Sequence, residues 1–232
     1  MTLYWLELSK QTSIYDQLLI EETLLRCDDR NFCIVSEGTS DAIVMGISGK
    51  VAELVDDSKA KALQLPIIRR FSGGGTVVVD ENTLFVTFIF QKKAFDFPPF
   101  PERIMQWTEK IYAPIFSPHL FALRENDYVI GEKKFGGNAQ YIKKERFLHH
   151  TSFLWDFCPH NMSALLHPKK TPSYREQRSH FDFLCTLKDF FPSKRELFTR
   201  LKQELANHFT LIPISQEDLL LFQESRISTH IL

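Results

Sequence analysis

Short β-rich runs and amphipathic helical stretches are interleaved along this chain without a strict strand–helix–strand beat. The longest strongly apolar run, Leu-Phe-Val-Thr-Phe-Ile-Phe at 84–90, is far below the ~20 residues of a membrane helix. Strand patterns fall at 4–8, 32–36, 42–47, 66–68, 76–79, 84–90, 127–130, 134–142 and 147–157. Helical spacing follows Ser13 and recurs at 51–63 and 102–112. The chain turns helical after Pro159, carries a polar loop at 169–180, and ends in a helix capped by Ser193 with Glu196 three residues on. Irregular interleaving predicts an α+β fold in which helices layer a sheet. The expectation is one domain over 1–232, helical from about 160, with no C-terminal accessory domain. At 232 residues roughly 70–75% of the unfolded surface can be buried, so no staple is needed.

Composition narrows the functional classes. With 28 Lys+Arg against 29 Asp+Glu there is no basic surplus to track a nucleic-acid backbone, so no nucleic acid is expected as a partner. Cys27, Cys33, Cys158 and Cys185 form no paired spacing, which argues for reduced thiols and against zinc or any other metal site. The start shows no basic stretch followed by a long apolar one, so the expected compartment is the cytoplasm, off the membrane.

Chemistry concentrates in three segments. Arg69-Arg70-Phe71-Ser72-Gly73-Gly74-Gly75-Thr76 stands between two strands. Side-chain-free residues let backbone N–H groups close on an anion, and the arginines add charge-assisted donors. Alone, it also suits a plain hairpin loop; it is neither a Walker loop nor a dinucleotide fingerprint. Gly131-Glu132-Lys133-Lys134-Phe135-Gly136-Gly137 places a lysine where backbone can approach a ligand, or marks a glycine bulge in a strand. In Leu148-His149-His150-Thr151-Ser152-Phe153 the adjacent histidines point to opposite faces of a strand and do not share a metal.

Taken together, RRFSGGGTVVVD, NDYVIGEKKFGGNAQ and HHTSFL resemble the lipoate–protein ligase A family, within the biotin/lipoate protein ligase superfamily. The resemblance runs from about Tyr15 to about Leu205. It implies mixed β-sheets flanked by helices. It also implies activation of lipoate by ATP, with Mg2+, to lipoyl-adenylate, then transfer to a lysine of a lipoyl domain. The acceptors implied are E2 subunits of 2-oxoacid dehydrogenases or the glycine-cleavage H protein.

By position, the resemblance assigns Arg70, Gly75, Thr76, Val77, Val78, Asn126, Asp127 and Lys134 to ATP. It assigns Ser72, Gly73, Gly74, Gly137 and His150, again with Lys134, to lipoate, and gives Lys134 the catalytic role. Two departures stand out. Val79 replaces a usual His, and His150-Thr151-Ser152 replaces a usual His-Gly-Thr. Family members of typical length continue into an accessory domain; the expectation here is closure of the site either by the chain's own loop at 169–180 or by a separate accessory subunit. Two rivals remain. A lipoyl or octanoyl transferase would work through a cysteine thioester, but 115–130, just before the lysine motif, contains no cysteine. A non-catalytic protein would only bind acyl groups or lipoyl domains.

Overall fold

Near-continuous apolar runs in the long strands, such as 84–90, build a sheet that is buried on both faces. The computed structural model describes residues 1–167, 171–219 and 227–232. In chain order the elements are β1 (Thr2–Glu7), α1 (Ile14–Cys27), β2 (Phe32–Glu37), β3 (Ala42–Met45), α2 (Val51–Leu54), α3 (Asp57–Ala62) and β4 (Ile67–Arg69). Then come β5 (Val77–Val79), β6 (Thr83–Gln91), α4 (Pro101–Phe116), β7 (Phe121–Arg124), β8 (Asp127–Ile130), β9 (Lys133–Ile142) and β10 (Arg146–Leu154). The chain closes with α5 (Pro159–Met162), α6 (His180–Phe183), α7 (Lys194–His208), β11 (Thr210–Ile214) and β12 (His230–Ile231).

The large sheet runs β11-β1-β2-β6-β10-β9-β8-β7 and the small one β12-β4-β3-β5. Both are mixed: β1 is parallel to β11 and β2, β3 is parallel to β4, and the other pairs are antiparallel. One face of the large sheet packs on α4 and α7 through an aromatic core that includes Phe88, Phe90, Tyr112, Phe116, Tyr128, Phe135, Phe147 and Phe153. The other face meets α1 and the small sheet, where Phe85 packs with Ile14, Leu18, Val44, Ile68 and Val79. The α+β architecture expected from the sequence is the one observed.

Local boundaries differ for identifiable reasons. The helix expected at 51–63 breaks in two: Val55 forms a β-bridge with Leu165, and Asp56 restarts the helix by accepting from the Lys59 N–H at 3.1 Å. α4 runs past the expected end at 112 because Pro114 sits in its last turn, where little of the ladder remains to break. β10 ends at Leu154 rather than 157, as Trp155 turns its N–H to Asn82 O. β7, β11 and β12 go beyond the sequence expectation: β7 has only four residues and β12 only two. Residues 169 and 170 of the expected polar loop lie outside the described residues; from Thr171 it carries a 3-10 turn at Ser173–Arg175 and runs into α6.

Candidate active site

A β-bulge decides which lysine enters the site. The β8–β9 register shifts between Tyr128 and Val129, which face Gly136 and Lys134 respectively. Phe135 and Gly136 therefore share the aromatic face. A Cβ at Gly136 would lie 3.0 Å from the Phe153 ring and 3.1 Å from Tyr128, so only glycine fits there without displacement. Lys134 is left on the opposite face with Asp127, Gly137 and Ser152. Its Nζ is 2.7 Å from Asp127 Oδ1. It lies over Gly137, where a Cβ would stand 3.6 Å from Nζ and 3.7 Å from Ser152 Oγ. Lys133 is exposed.

The glycine loop rests on the same strand a few residues on. Gly73 N–H donates to Gln140 O at 3.2 Å. Gly74, at φ +120°, has room for no Cβ: one would fall 2.6 Å from Arg70 Nη2 and 3.0 Å from Asn138 O. Arg70 is buried beneath the loop and holds its shape. Its Nε donates to Ser72 Oγ at 3.1 Å, and its Nη2 to Gly73 O at 3.1 Å and Gly75 O at 2.9 Å. Burial pulls its pKa down to about 10, a cost that the charge of Glu21 partly offsets. Gly75 is exposed, and neither Gly74 nor Gly75 spends its N–H on a hydrogen bond among the described residues. Val77 and Val78 continue from the loop into β5.

The two histidines separate as expected. His150 is buried on the site face, its Nδ1 3.0 Å from Glu21 Oε2, while Thr87 Oγ1 donates to Glu21 Oε1 at 2.7 Å. With Nδ1 turned to that carboxylate, Nε2 makes no hydrogen bond among the described residues. His149, on the aromatic face, accepts from Gln140 Nε2 at 3.0 Å through Nδ1, and its Nε2 lies 3.2 Å from Thr151 Oγ1. Complete burial, with neighbouring His150, lowers its pKa to about 3, so it is neutral. Asn126 is exposed at the β7–β8 turn, and its carbonyl accepts from Asn138 Nδ2 at 3.0 Å.

A family model described as the lipoyl protein ligase A/B catalytic domain matches residues 13–210. The chain belongs to that family. Among curated relatives, it is 29% identical to the inactive lipoate–protein ligase 2 of Plasmodium falciparum over 80% of this chain, and 26% identical to the lipoate-protein ligase LplJ of Bacillus subtilis over 56% of it. Those relatives are longer: the chain spans 63% of the first and 38% of the second. The fold matches that of a bipartite lipoate protein ligase from Thermoplasma acidophilum, described with its E2 lipoyl domain, at TM-score 0.74 and 20% identity, covering 93% of this chain and 88% of that one. It also matches a lipoate-protein ligase A bound with ATP, at TM-score 0.73 and 19% identity, covering 94% and 91%.

As a lipoyl protein ligase A/B domain, the chain brings Arg70, Ser72–Gly75, Lys134, Gly137, His150 and Asp127 around one stretch of β9 and β10. Val79, where the family's histidine was expected, is buried in the small-sheet core and packs there. Three neighbours of the site were not read from the sequence. Glu21 carried a signal, a carboxylate three residues from Leu18 on the apolar face of α1. Tyr174, whose hydroxyl donates to Asp127 Oδ2 at 2.9 Å, arrives from a remote loop that gave none. Cys185 also arrives by folding: its N–H donates to Lys134 O at 2.9 Å and its thiol meets Lys133 O. Burial pushes that thiol up to about 11. Among the described residues no cluster of three His, Cys, Asp or Glu side chains could hold a metal.

Proposed function

We propose that this chain activates lipoate with ATP and passes the lipoyl group to a lysine of a lipoyl domain. The observation that carries the reading is Lys134, a partly buried ammonium on a bulged strand, set over Gly137, beside Asp127 and next to a glycine loop with unspent amides. Attack of the lipoate carboxylate on the α-phosphorus brings two anions together and releases pyrophosphate. A fixed ammonium lowers that barrier by about 3–4 kcal/mol in a site shielded from water. In the second step the acceptor amine attacks the acyl carbonyl and AMP leaves; the same ammonium holds the carbonyl oxygen.

In this reading Arg70 works through the loop, presenting Gly75, Thr76, Val77 and Val78 to the nucleotide, with Asn126 and Asp127 at its other side. Ser72, Gly73, Gly74, Gly137 and His150 line the acyl slot. Mg2+ would arrive on the phosphates, and Asp127 is an oxygen donor of the kind it accepts. Membership of the family and the fold match to a ligase with bound ATP support the nucleotide step. The Thermoplasma structure, described with an E2 lipoyl domain, supports a lipoyl domain as acceptor, of an E2 subunit or a glycine-cleavage H protein.

A second reading, a protein that binds lipoyl groups or domains without chemistry, is favoured by the similarity to a Plasmodium relative named inactive. Lipoate-dependent exchange of labelled pyrophosphate into ATP separates the two. The ligase gives exchange with lipoate above biotin. Binding of lipoate without exchange, in the presence of a lipoyl domain, assigns the second reading.

A further inference from the structure

The segment 171–185 wraps the β7–β8–β9 edge beside Lys134, and it carries two arginines with different fates. Ser173 donates its N–H to Glu125 at 2.7 Å, Tyr174 donates to Asp127, and Arg178 Nη1 donates to Glu132 O at 2.9 Å. Arg178 spends its other donors on Arg175 O and Tyr174 O, so it builds the strap. Arg175 is only 4% exposed, and its buried Nη2 has no acceptor among the described residues. Its Nε donates to Arg178 O at 3.2 Å, and its guanidinium lies 5.1 Å from the Phe183 ring. No carboxylate forms an ion pair with it among the described residues.

A buried cation without a counterion is costly, and an unmade buried hydrogen bond adds about 1–3 kcal/mol. Burial and the neighbouring Arg178 pull the Arg175 pKa down; Asp127 opposes them, but it is already paired with Lys134. Asp127 is thus taken up by Lys134, and Arg175 is left without a paired carboxylate among the described residues. The charge this arrangement lacks is an anion, and a multiply charged one with several acceptor oxygens suits a guanidinium fork.

We propose that Arg175 is a binding residue for a polyphosphate anion, the pyrophosphate end of the nucleotide, held on the strap opposite Lys134. This rests on the ligase reading for which anion comes, but not for whether one binds. Nη2 is closed to water as it stands, so the anion enters as the strap shifts, and the Tyr174 hydrogen bond to Asp127 is one of the side-chain contacts that must yield. A phosphate oxygen then completes Nη2 while Lys134 faces the same group.

Titration calorimetry of the full chain with inorganic pyrophosphate and, separately, with AMP tests this. Arg175→Gln is expected to weaken pyrophosphate at least tenfold and AMP less than twofold. Tyr174→Phe, which removes one of the ties that hold the strap, is expected to hold pyrophosphate as tightly as the unmodified chain or more so. Equal pyrophosphate binding by Arg175→Gln, or equal loss of both ligands, overturns the proposal. Should Arg175→Gln unfold, the unmodified protein decides: pyrophosphate must shift an arginine Nε–H resonance that disappears in Arg175→Lys, and no shifted arginine resonance overturns it. Exchange activity without pyrophosphate binding through Arg175 leaves the ligase reading standing and removes this one. Arg175-dependent pyrophosphate binding without exchange does the reverse.

Discussion

The two faces of β9 and β10 are made by the same residues in alternation, yet they are built to opposite ends. On the α4 side, Phe135, Phe147 and Phe153 are sealed in aromatic packing, and the polar His149 is kept neutral inside it. On the other side, Lys134 pairs with Asp127 over the bare backbone of Gly137, His150 pairs with Glu21, and the neighbouring loop leaves the Gly74 and Gly75 amides without a hydrogen bond among the described residues. One face commits its surface to stability; the other carries the proposed ligand site. The bulge at Phe135-Gly136 is where the chain changes from one use to the other, since it sends two successive residues inward and the lysine outward.

The largest effect belongs to the sealed face. Phe153 is 1% exposed and touches Tyr112, Phe116, Tyr128 and Phe135. Phe153→Ala should cost about 3–5 kcal/mol of stability in urea unfolding, as expected for an aromatic cavity. A loss below about 1 kcal/mol would show that this face collapses around the gap and is not the rigid support assumed for the site.

On the open face the loss falls on chemistry. Lys134→Ala should reduce lipoyl-adenylate formation by on the order of a hundredfold or more, as for removal of a transition-state donor, while Lys133→Ala stays near the unmodified rate. Both are measured by exchange, with circular dichroism confirming the fold. Equal and mild effects at the two lysines would erase the distinction between the faces.

How far the sequence could reach follows from the same comparison. Strand alternation located both faces and separated His149 from His150, because a period of two is local. The motifs RRFSGGG and KKFGGN marked the loop and the lysine through glycines that the structure needs at Gly74 and Gly136. The bulge itself was legible only as an alternative, since a glycine pair also fits an unbroken strand. Contacts from distant segments carried no local sign: Tyr174 reaches Asp127 across 47 positions and Glu21 reaches His150 across 129. The helix break at Val55 was invisible for the same reason, being set by a bridge to Leu165.

The buried His149 turns the comparison into a pH measurement. Its folded pKa of about 3 lies below the ordinary 6.5, so between those values the unfolded chain binds a proton that the native chain refuses. Stability therefore falls as pH drops through that window, by up to about 1.4 kcal/mol per unit from this group. Unfolding free energies from urea titrations at pH 7 and pH 5 should differ by roughly 2 kcal/mol more in the unmodified protein than in His149→Gln. The same pH dependence in both proteins would mean that His149 takes up its proton inside the core.

The smallest expected effect is at Cys185, and its smallness is informative. Folding brings this thiol against Lys133 O, beside the Lys134 strand, where a thioester route would want a nucleophile. A thiolate attacks and a thiol does not, so such a cysteine needs its pKa lowered toward neutrality. Burial does the opposite here and lifts it to about 11, leaving well under a thousandth ionised at pH 7 on the ordinary titration law. Lys133 offers some relief, but desolvation outweighs it. Cys185→Ala should therefore keep exchange and lipoyl transfer within about twofold, the size of a packing adjustment at a half-buried position. A folded Cys185→Ala protein that loses transfer altogether, or a covalent acyl group trapped on Cys185 by mass spectrometry, would move the chemistry from the lysine to the thiol.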